Sequence, residues 1–532
     1  MQKPNIRASV ILMIIFLTAG ILLIRLYRVS TNETAVLAST KQGHYLLNVP
    51  LAQGAIYDRN FSRLTQPKHV WYALVNQTPD TIMAVRSKAL DKAAFDIAVK
   101  QRKPFCCMVT DSAFDNPNIQ VFEGYQTDHS KQLAQHLIGY RQNGKGVCGL
   151  QAACSEILSA NDSNITASFS VDAYGAVLAG LHTNADLSGN IHGGIVTTLD
   201  KSIQQITELA LTNADPNPAA AIVLNVHTGE ILALASRPLY DEAHLSEAMD
   251  NENAPFLNRA LCAYSVGSVF KLVTAAAALE SGFTSGYMYC CSGSTEIYGQ
   301  RFRCHNMAGH GLLDMENAMV NSCNPYFINL SQILTADAFH QTAEQLGFGI
   351  PISLADGFSS SAGYLQSVQE LHVEAEKANL AFGQGKLLAT PLHIAAMTAC
   401  IANDGVYHMP WLLRGETTDG VTLQPYAESE PCRVLCTDSA QTLQKLMCAV
   451  LSKGEGQNGV PNYTTAGGKT STAQTGQYAA DGTEYCHAWM TGFFPSEQPK
   501  YAVTVFVERG GSGNQAAAPI FRDIIDHIAQ LN

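Results

Sequence analysis

The chain has 532 residues, 46% hydrophobic and 15% charged, with 41 glycines and 20 prolines. That length implies two to four domains, and the apolar fraction is enough for packed cores rather than long disorder. Lys and Arg total 33 against 45 Asp and Glu, a formal charge of −12. With no Lys/Arg-dense stripe, this balance excludes a nucleic-acid-binding role.

The first element is Ala8–Ile24 (ASVILMIIFLTAGILLI), 17 residues without a charge, preceded by Lys3 and Arg7 and followed by Arg25 and Arg28. At about 1.5 Å per residue it covers roughly 26 Å, and Leu26 and Tyr27 extend it toward a hydrocarbon core of about 30 Å. No small-x-small cleavage site follows it directly. The first cysteine is Cys106, so no lipid-modified cysteine is available nearby. The expectation is a single-pass membrane anchor with a short tail inside and the rest of the chain outside. No later apolar stretch is long enough to add a second span.

Residues 1–28 are thus tail and anchor, and 29–45, mixed and polar, a stalk. From 46 to 195 short strand-like runs such as His69–Val75 and Asn118–Phe122 alternate with Gly, Asn and Asp, giving an irregular α+β module. Residues 196–532 form the second domain. It begins with a helix over Asp200–Thr212, with apolar spacing at Ile203, Ile206, Leu209 and Leu211, broken at Asp215-Pro216-Asn217-Pro218. Ala219–Val226 and Glu230–Ser236 flank His227-Thr228-Gly229 as a β-hairpin. Helical patterns fill the middle, as in Ser268–Ser281 and Leu392–Asn403. Three strands follow at Thr465–Gln474, Ala488–Phe494 and Tyr501–Glu508, then a helix over Phe521–Leu531. Strands at both ends of one segment, with helices between, imply a sheet assembled from distant pieces.

Fourteen cysteines on the outer side of a membrane suggest disulfides, and Cys290 or Cys291 with Cys304 would close a short loop. Free thiols, in an organism that lives without oxygen, are the alternative. No CxxC…CxxC or HExxH spacing occurs, so no zinc site is expected.

Three short motifs carry chemistry in the second domain. Ser268 and Lys271, three apart, share a helix face. A serine hydroxyl needs a base, and a neutral lysine is one. Bringing that lysine from about 10.4 to near 7 costs about 5 kcal/mol, supplied by desolvation or a second cation. The bland alternative is an N-cap serine beside a solvated lysine. Ser322-Cys323-Asn324 offers a proton-relaying hydroxyl and a carbonyl-holding amide, or merely a turn before Pro325. Lys469-Thr470-Ser471-Thr472 lies on a strand, so Lys469 with Ser471, or Thr470 with Thr472, points to one side. A cation and hydroxyls suit a substrate carboxylate, whereas the bland reading is a lysine guarding a strand edge.

Together, in this order, SxxK, SxN and a KTG-like triplet form the serine acyl-enzyme set of β-lactamases and penicillin-binding proteins. The second domain resembles the transpeptidase domain of class B penicillin-binding proteins. Further matching segments are Asn258-Arg259-Ala260, Tyr264–Lys271, Cys304 through His310-Gly311, Phe382-Gly383-Gln384-Gly385, Thr390-Pro391-Leu392, and His487-Ala488-Trp489 with Gly492-Phe493. Upstream, Gly54-Ala55-Ile56-Tyr57-Asp58-Arg59-Asn60 resembles the opening of the family's non-catalytic pedestal. The departures are Val266 for Pro, Gln53 for Arg, Gln151 for Glu, and Ser471 for the glycine of the third motif, where a side chain would crowd the acyl group.

The resemblance implies a multidomain α+β protein: a transmembrane helix, an α+β pedestal, and a serine β-lactamase-like transpeptidase domain with an antiparallel five-stranded sheet and flanking helices. It implies peptidoglycan D,D-transpeptidation on stem peptides, inhibition by β-lactams, and no cofactor. Ser268 would be the nucleophile and Lys271 its base. Ser322 would relay the proton and Asn324 hold the donor amide. Lys469, Thr470 and Thr472 would receive the terminal carboxylate, with Ser471 beside them in the substrate-binding set. A multi-spanning polymerase of the shape, elongation, division and sporulation (SEDS) family is the implied partner. A D,D-carboxypeptidase, or an impaired structural or β-lactam-sensing member, is the alternative. A β-lactamase is disfavoured by the lack of an ExxLN motif, and a bifunctional polymerase by the lack of any Glu-Asp pair.

Overall fold

The computed structural model describes residues 6–31, 43–116, 118–126, 132–142, 144–172, 177–178, 184–214, 218–242 and 244–531. Most of the expected stalk, and the breaker at Asp215-Pro216-Asn217, lie outside them.

Ile6–Thr31 forms one helix, and the window Ser9–Arg28 has a mean hydropathy of 2.5 with none of it buried. Among the described residues it is the one helix long and apolar enough to cross a membrane. A helix apolar on every side and uncovered by its own chain is consistent with a single-pass anchor.

The chain divides into two compact units. One comprises residues 1–53, 66–127 and 161–191, the other 54–65, 128–160 and 192–532. A single boundary at 195 therefore does not describe the chain, because two upstream pieces fold into the second unit. The reason is visible in the pairing: Ala55–Tyr57 runs parallel to Gly194–Thr197, which in turn pairs antiparallel with Leu413–Thr417. The buried Asp58 carboxylate accepts backbone N–H groups from Asn60, Ser62 and Lys201 at 2.9, 2.7 and 3.2 Å. Arg59 pairs with Glu230 at 3.0 Å.

The first unit is α+β, as expected. His44–Ala52, Ser163–Ser170 and Asn184–Ser188 form one antiparallel sheet, with Ile165, Ala167 and Phe169 turned inward at alternate positions. A second sheet centres on Lys68–Val75, between Phe105–Val109 and Val121–Gln126. The strand expected from Asn118 begins only at Val121. Helices Pro79–Lys88 and Lys92–Lys100 start where Thr78 and Asp91 side chains accept backbone N–H groups.

In the second unit, strands β1 (Ala219–Asn225), β2 (Ile231–Arg237), β3 (Gly467–Tyr478), β4 (Glu484–Phe494) and β5 (Tyr501–Val507) form one antiparallel sheet in the order β2-β1-β5-β4-β3. Ala219, Ala221 and Val223 turn to one face, against helices α1 (Lys201–Asn213) and α6 (Ala518–Ala529). Ala220, Ile222 and Leu224 turn to the other, against α4 (Pro391–Ala402), on which α5 (Thr437–Lys453) packs beside α2 (Lys271–Glu280). Such two-sided burial is why β1 reads as an unbroken apolar run. Phe521, Ile524, Ile525 and Ile528 on α6 are fully buried, each contributing about 2 kcal/mol. The Asp200 carboxylate caps α1, accepting from Ser202 and Ile203. Helix α3 (Asn324–Gln332) packs between α2 and Glu374–Ala381. β3 is an edge strand, and one of its ends runs beside the segment that leads into α2.

Candidate active site

Ser268 does not open α2 itself. It sits one turn earlier, on a 3₁₀ turn over Gly267–Phe270 that continues into Lys271. Gly267 holds a left-handed φ of +65° and donates to the Gly383 carbonyl at 2.8 Å. A Cβ at Gly267 would strike the Ser471 hydroxyl, and one at Gly383 the Gly267 carbonyl, so both positions need glycine. Two further bonds hold this approach: Trp489 Nε1 donates to the Ser265 carbonyl at 3.0 Å, and Ser471 Oγ to the Val266 carbonyl at 2.8 Å.

The three motifs converge on Lys271. Its Nζ lies 3.1 Å from Ser268 Oγ, 3.1 Å from Ser322 Oγ, 2.6 Å from the Ser322 carbonyl and 2.7 Å from Asn324 Oδ1. Lys469 Nζ lies 3.2 Å from the same Ser322 Oγ and donates to the Thr470 carbonyl at 3.0 Å. Ser322 itself has a left-handed φ of +49°, and Asn324 Nδ2 donates to the Arg303 carbonyl at 3.2 Å. Both lysines are fully buried. Burial, then the neighbouring Lys469 cation, lowers Lys271 to about 7; burial lowers Lys469 to about 8. Both depressing causes anticipated from the sequence, desolvation and a second cation, thus act on Lys271.

These groups border a cleft of about 770 Å³, lined among others by Ser268, Ser322, Asn324, Thr470, Thr472, Gln384 and Glu455. Thr472 is the first exposed residue of β3, after the buried run Gly467–Ser471. Ser471 forms part of the wall, but its hydroxyl is committed to Val266 and the residue is 3% exposed. The expectation that this side chain crowds an acyl group is therefore revised: it fastens the strand to the nucleophile's segment.

Sequence reasoning missed that fastening, the Trp489 bond, and one cluster. Cys291, Cys304, His310 and Cys323 have ligand atoms within 4.8 Å of one another, although no spacing motif announces them. Hydrogen bonding with Cys323 holds the Cys304 thiol well below the ordinary range. All fourteen cysteines are free, so the expected short-loop disulfide from Cys290 or Cys291 to Cys304 is not formed.

Residues 219–526 match the family described as penicillin binding protein transpeptidase domain. The chain belongs to this family, as a class B penicillin-binding protein. It is 30% identical over 354 residues to stage V sporulation protein D of Bacillus subtilis, covering 63% of this chain but 53% of that one. It is 28% identical over 420 residues to the peptidoglycan D,D-transpeptidase PbpA of Mycolicibacterium smegmatis, covering 73% of this chain and 81% of the relative. Among solved structures, penicillin-binding protein 3 of Mycobacterium tuberculosis, complexed with aztreonam, superposes with a TM-score of 0.65 at 23% identity, over 91% of this chain and 97% of its own. That likeness establishes the multidomain fold.

Proposed function

We propose that this chain is a serine-type peptidoglycan D,D-transpeptidase, acylated by β-lactams through Ser268. The observation that carries the reading is the single contact set of Lys271 Nζ, 3.1 Å from both Ser268 Oγ and Ser322 Oγ. Neutral Lys271 takes the Ser268 proton as Oγ attacks the D-Ala-D-Ala carbonyl. The backbone N–H groups of Ser268 and Thr472 face the developing oxyanion. Ser322, between Lys271 and Lys469, passes a proton to the departing D-Ala. Asn324 holds the donor amide, while Lys469, Thr470 and Thr472 receive the terminal carboxylate. An amine of a neighbouring stem peptide then takes the acyl group, re-forming the Ser268 hydroxyl. The names of PbpA and of the aztreonam-bound relative support this reading.

In the same reading, the part of 46–195 that folds in the first unit serves as a non-catalytic pedestal, the catalytic unit lies on the extracellular side, and a SEDS-family polymerase is the partner. The N-terminal apolar helix supports the membrane location.

The test is intact mass of the full-length chain in detergent, with and without penicillin, beside Ser268→Ala. The expected result is one long-lived penicilloyl adduct that the variant lacks. Rapid drug turnover without an adduct would point to a β-lactamase instead. An adduct retained by Ser268→Ala would remove the assigned nucleophile.

A further inference from the structure

Helix α5 ends at Lys453, and Gly454-Glu455-Gly456 carries the chain off it toward β3. This turn lies close against the segment that leads to Ser322. A Cβ at Gly454 would strike the Val320 carbonyl, and Val320 ends the helix Met315–Val320 just ahead of Ser322. Lys453 is engaged away from the turn, pairing with Glu316 at 2.8 Å. Glu455 is thereby set on the wall of the catalytic cleft. Its Oε1 lies 3.3 Å from His305 Nε2, and His305 is two residues beyond Arg303, whose carbonyl takes the Asn324 amide. The carboxylate therefore stands on the Ser322–Asn324 side.

Among the described residues that line the cleft, Glu455 is the one acidic side chain. The side chains of His305 and Glu455 are 47% and 50% exposed, so the pair leaves Glu455 within reach of a ligand. Its charge also reaches both catalytic lysines, opposing the downward push of burial. An acid in a cleft that receives a donor's carboxylate repels that carboxylate and attracts a cation. The reaction brings one cation. D-Ala departs as an amine that takes its proton from Ser322. The acceptor amine enters along the same path, because aminolysis is that step run backwards. An aliphatic amine arrives as an ammonium ion at neutral pH.

We propose that Glu455 captures the ammonium group of the incoming acceptor peptide on the Ser322 side of the cleft, and so favours cross-linking over hydrolysis. This rests on the reading of Ser268 as the acylated nucleophile. As the acceptor leaves Glu455 it gives one proton to solvent and becomes a nucleophilic amine. Its nitrogen then bonds to the ester carbon, and the bond from that carbon to Ser268 Oγ breaks. A second proton passes from the nitrogen through Ser322 to Ser268 Oγ. The products are an amide and a free serine. Water carries no charge for Glu455 to hold and gains nothing from it. Glu455 is thus a specificity-determining residue for the second half of the reaction.

The experiment uses the full-length chain in detergent, acylated by an N-benzoyl-D-alanyl thioester, with Ser268→Ala as the blank. Two acceptors compete for the acyl group: Nα-acetyl-L-lysinamide, which carries a single ammonium, and methanol, which is neutral. The ratio of amide to methyl ester is fixed after acylation, so a slower first step in a variant does not enter it. Glu455→Gln should lower that ratio roughly fivefold, while Glu455→Asp, which keeps the charge, should retain most of it. A group that merely balanced the lysines would leave the ratio where it was. Should the variants misfold, the wild-type ratio must itself fall between about 0.05 and 0.5 M salt, as screening weakens the capture. An acylated chain whose ratio is indifferent to Glu455→Gln or to salt overturns the proposal alone. So does an acylated wild-type chain that forms no amide. A folded chain that the thioester does not acylate overturns the Ser268 reading, and this inference with it.

Discussion

Lys469 and Ser322 meet at 3.2 Å, Nζ to Oγ, and the same oxygen lies 3.1 Å from Lys271 Nζ. One hydroxyl therefore joins a lysine at about 7 to another at about 8. Under the proposed mechanism, the pair sets the pH range in which base and carboxylate receptor exist together.

In the proposed mechanism, acylation requires Lys271 neutral and Lys469 charged. The second-order rate of penicilloyl formation should rise with pH through about 7, as Lys271 loses its proton, and fall above about 8, as Lys469 loses its charge. Stopped mixing with a chromogenic cephalosporin across pH 5.5 to 10 reads this bell. A profile flat from 6 to 9 would remove Lys271 as the base.

Lys271→Met keeps length and volume but no basic nitrogen. Acylation should fall by roughly 10²–10⁴-fold, with the variant still folded by circular dichroism. A loss under tenfold would mean that another group deprotonates Ser268.

Ser471→Gly separates crowding from fastening. Losing the bond to Val266 and gaining backbone freedom should cost about 1–2 kcal/mol, read as a lowered Tm, while acylation does not accelerate. A faster-acylating, equally stable variant would restore the view that the side chain obstructs the acyl group.

Asp58→Ala strands three backbone N–H groups that now share one buried carboxylate. A loss of roughly 2–3 kcal/mol is expected, seen in chemical denaturation of the second unit. An unchanged midpoint would show that 54–65 adds little to that unit's stability.

Local patterns made much of the catalytic unit legible. The apolar run of Ala219–Leu224 declared a strand, which the structure buries on both faces, and the pattern from Asp200 declared a helix. The three triplets could be read because each is a short run with its own chemistry. Ser471's partner could not, since its bond runs to Val266, some two hundred positions upstream. The thiol cluster escaped for the same reason: Cys291, Cys304, His310 and Cys323 come from four segments that only the fold gathers. The division of the chain also escaped, because Ala55–Tyr57 finds its parallel partner at Gly194–Thr197, beyond an intervening module.

The strand order β2-β1-β5-β4-β3 seats Tyr501–Val507 between Ala219–Asn225 and Glu484–Phe494. Synthesis delivers that central strand long after the hairpin it must join. Until then the hairpin's inner edge keeps its backbone groups unpaired, open to any passing strand. A ribosome that stops short of Tyr501 releases a chain bearing Ser268, Lys271 and Lys469 yet lacking the piece that draws their elements into one sheet.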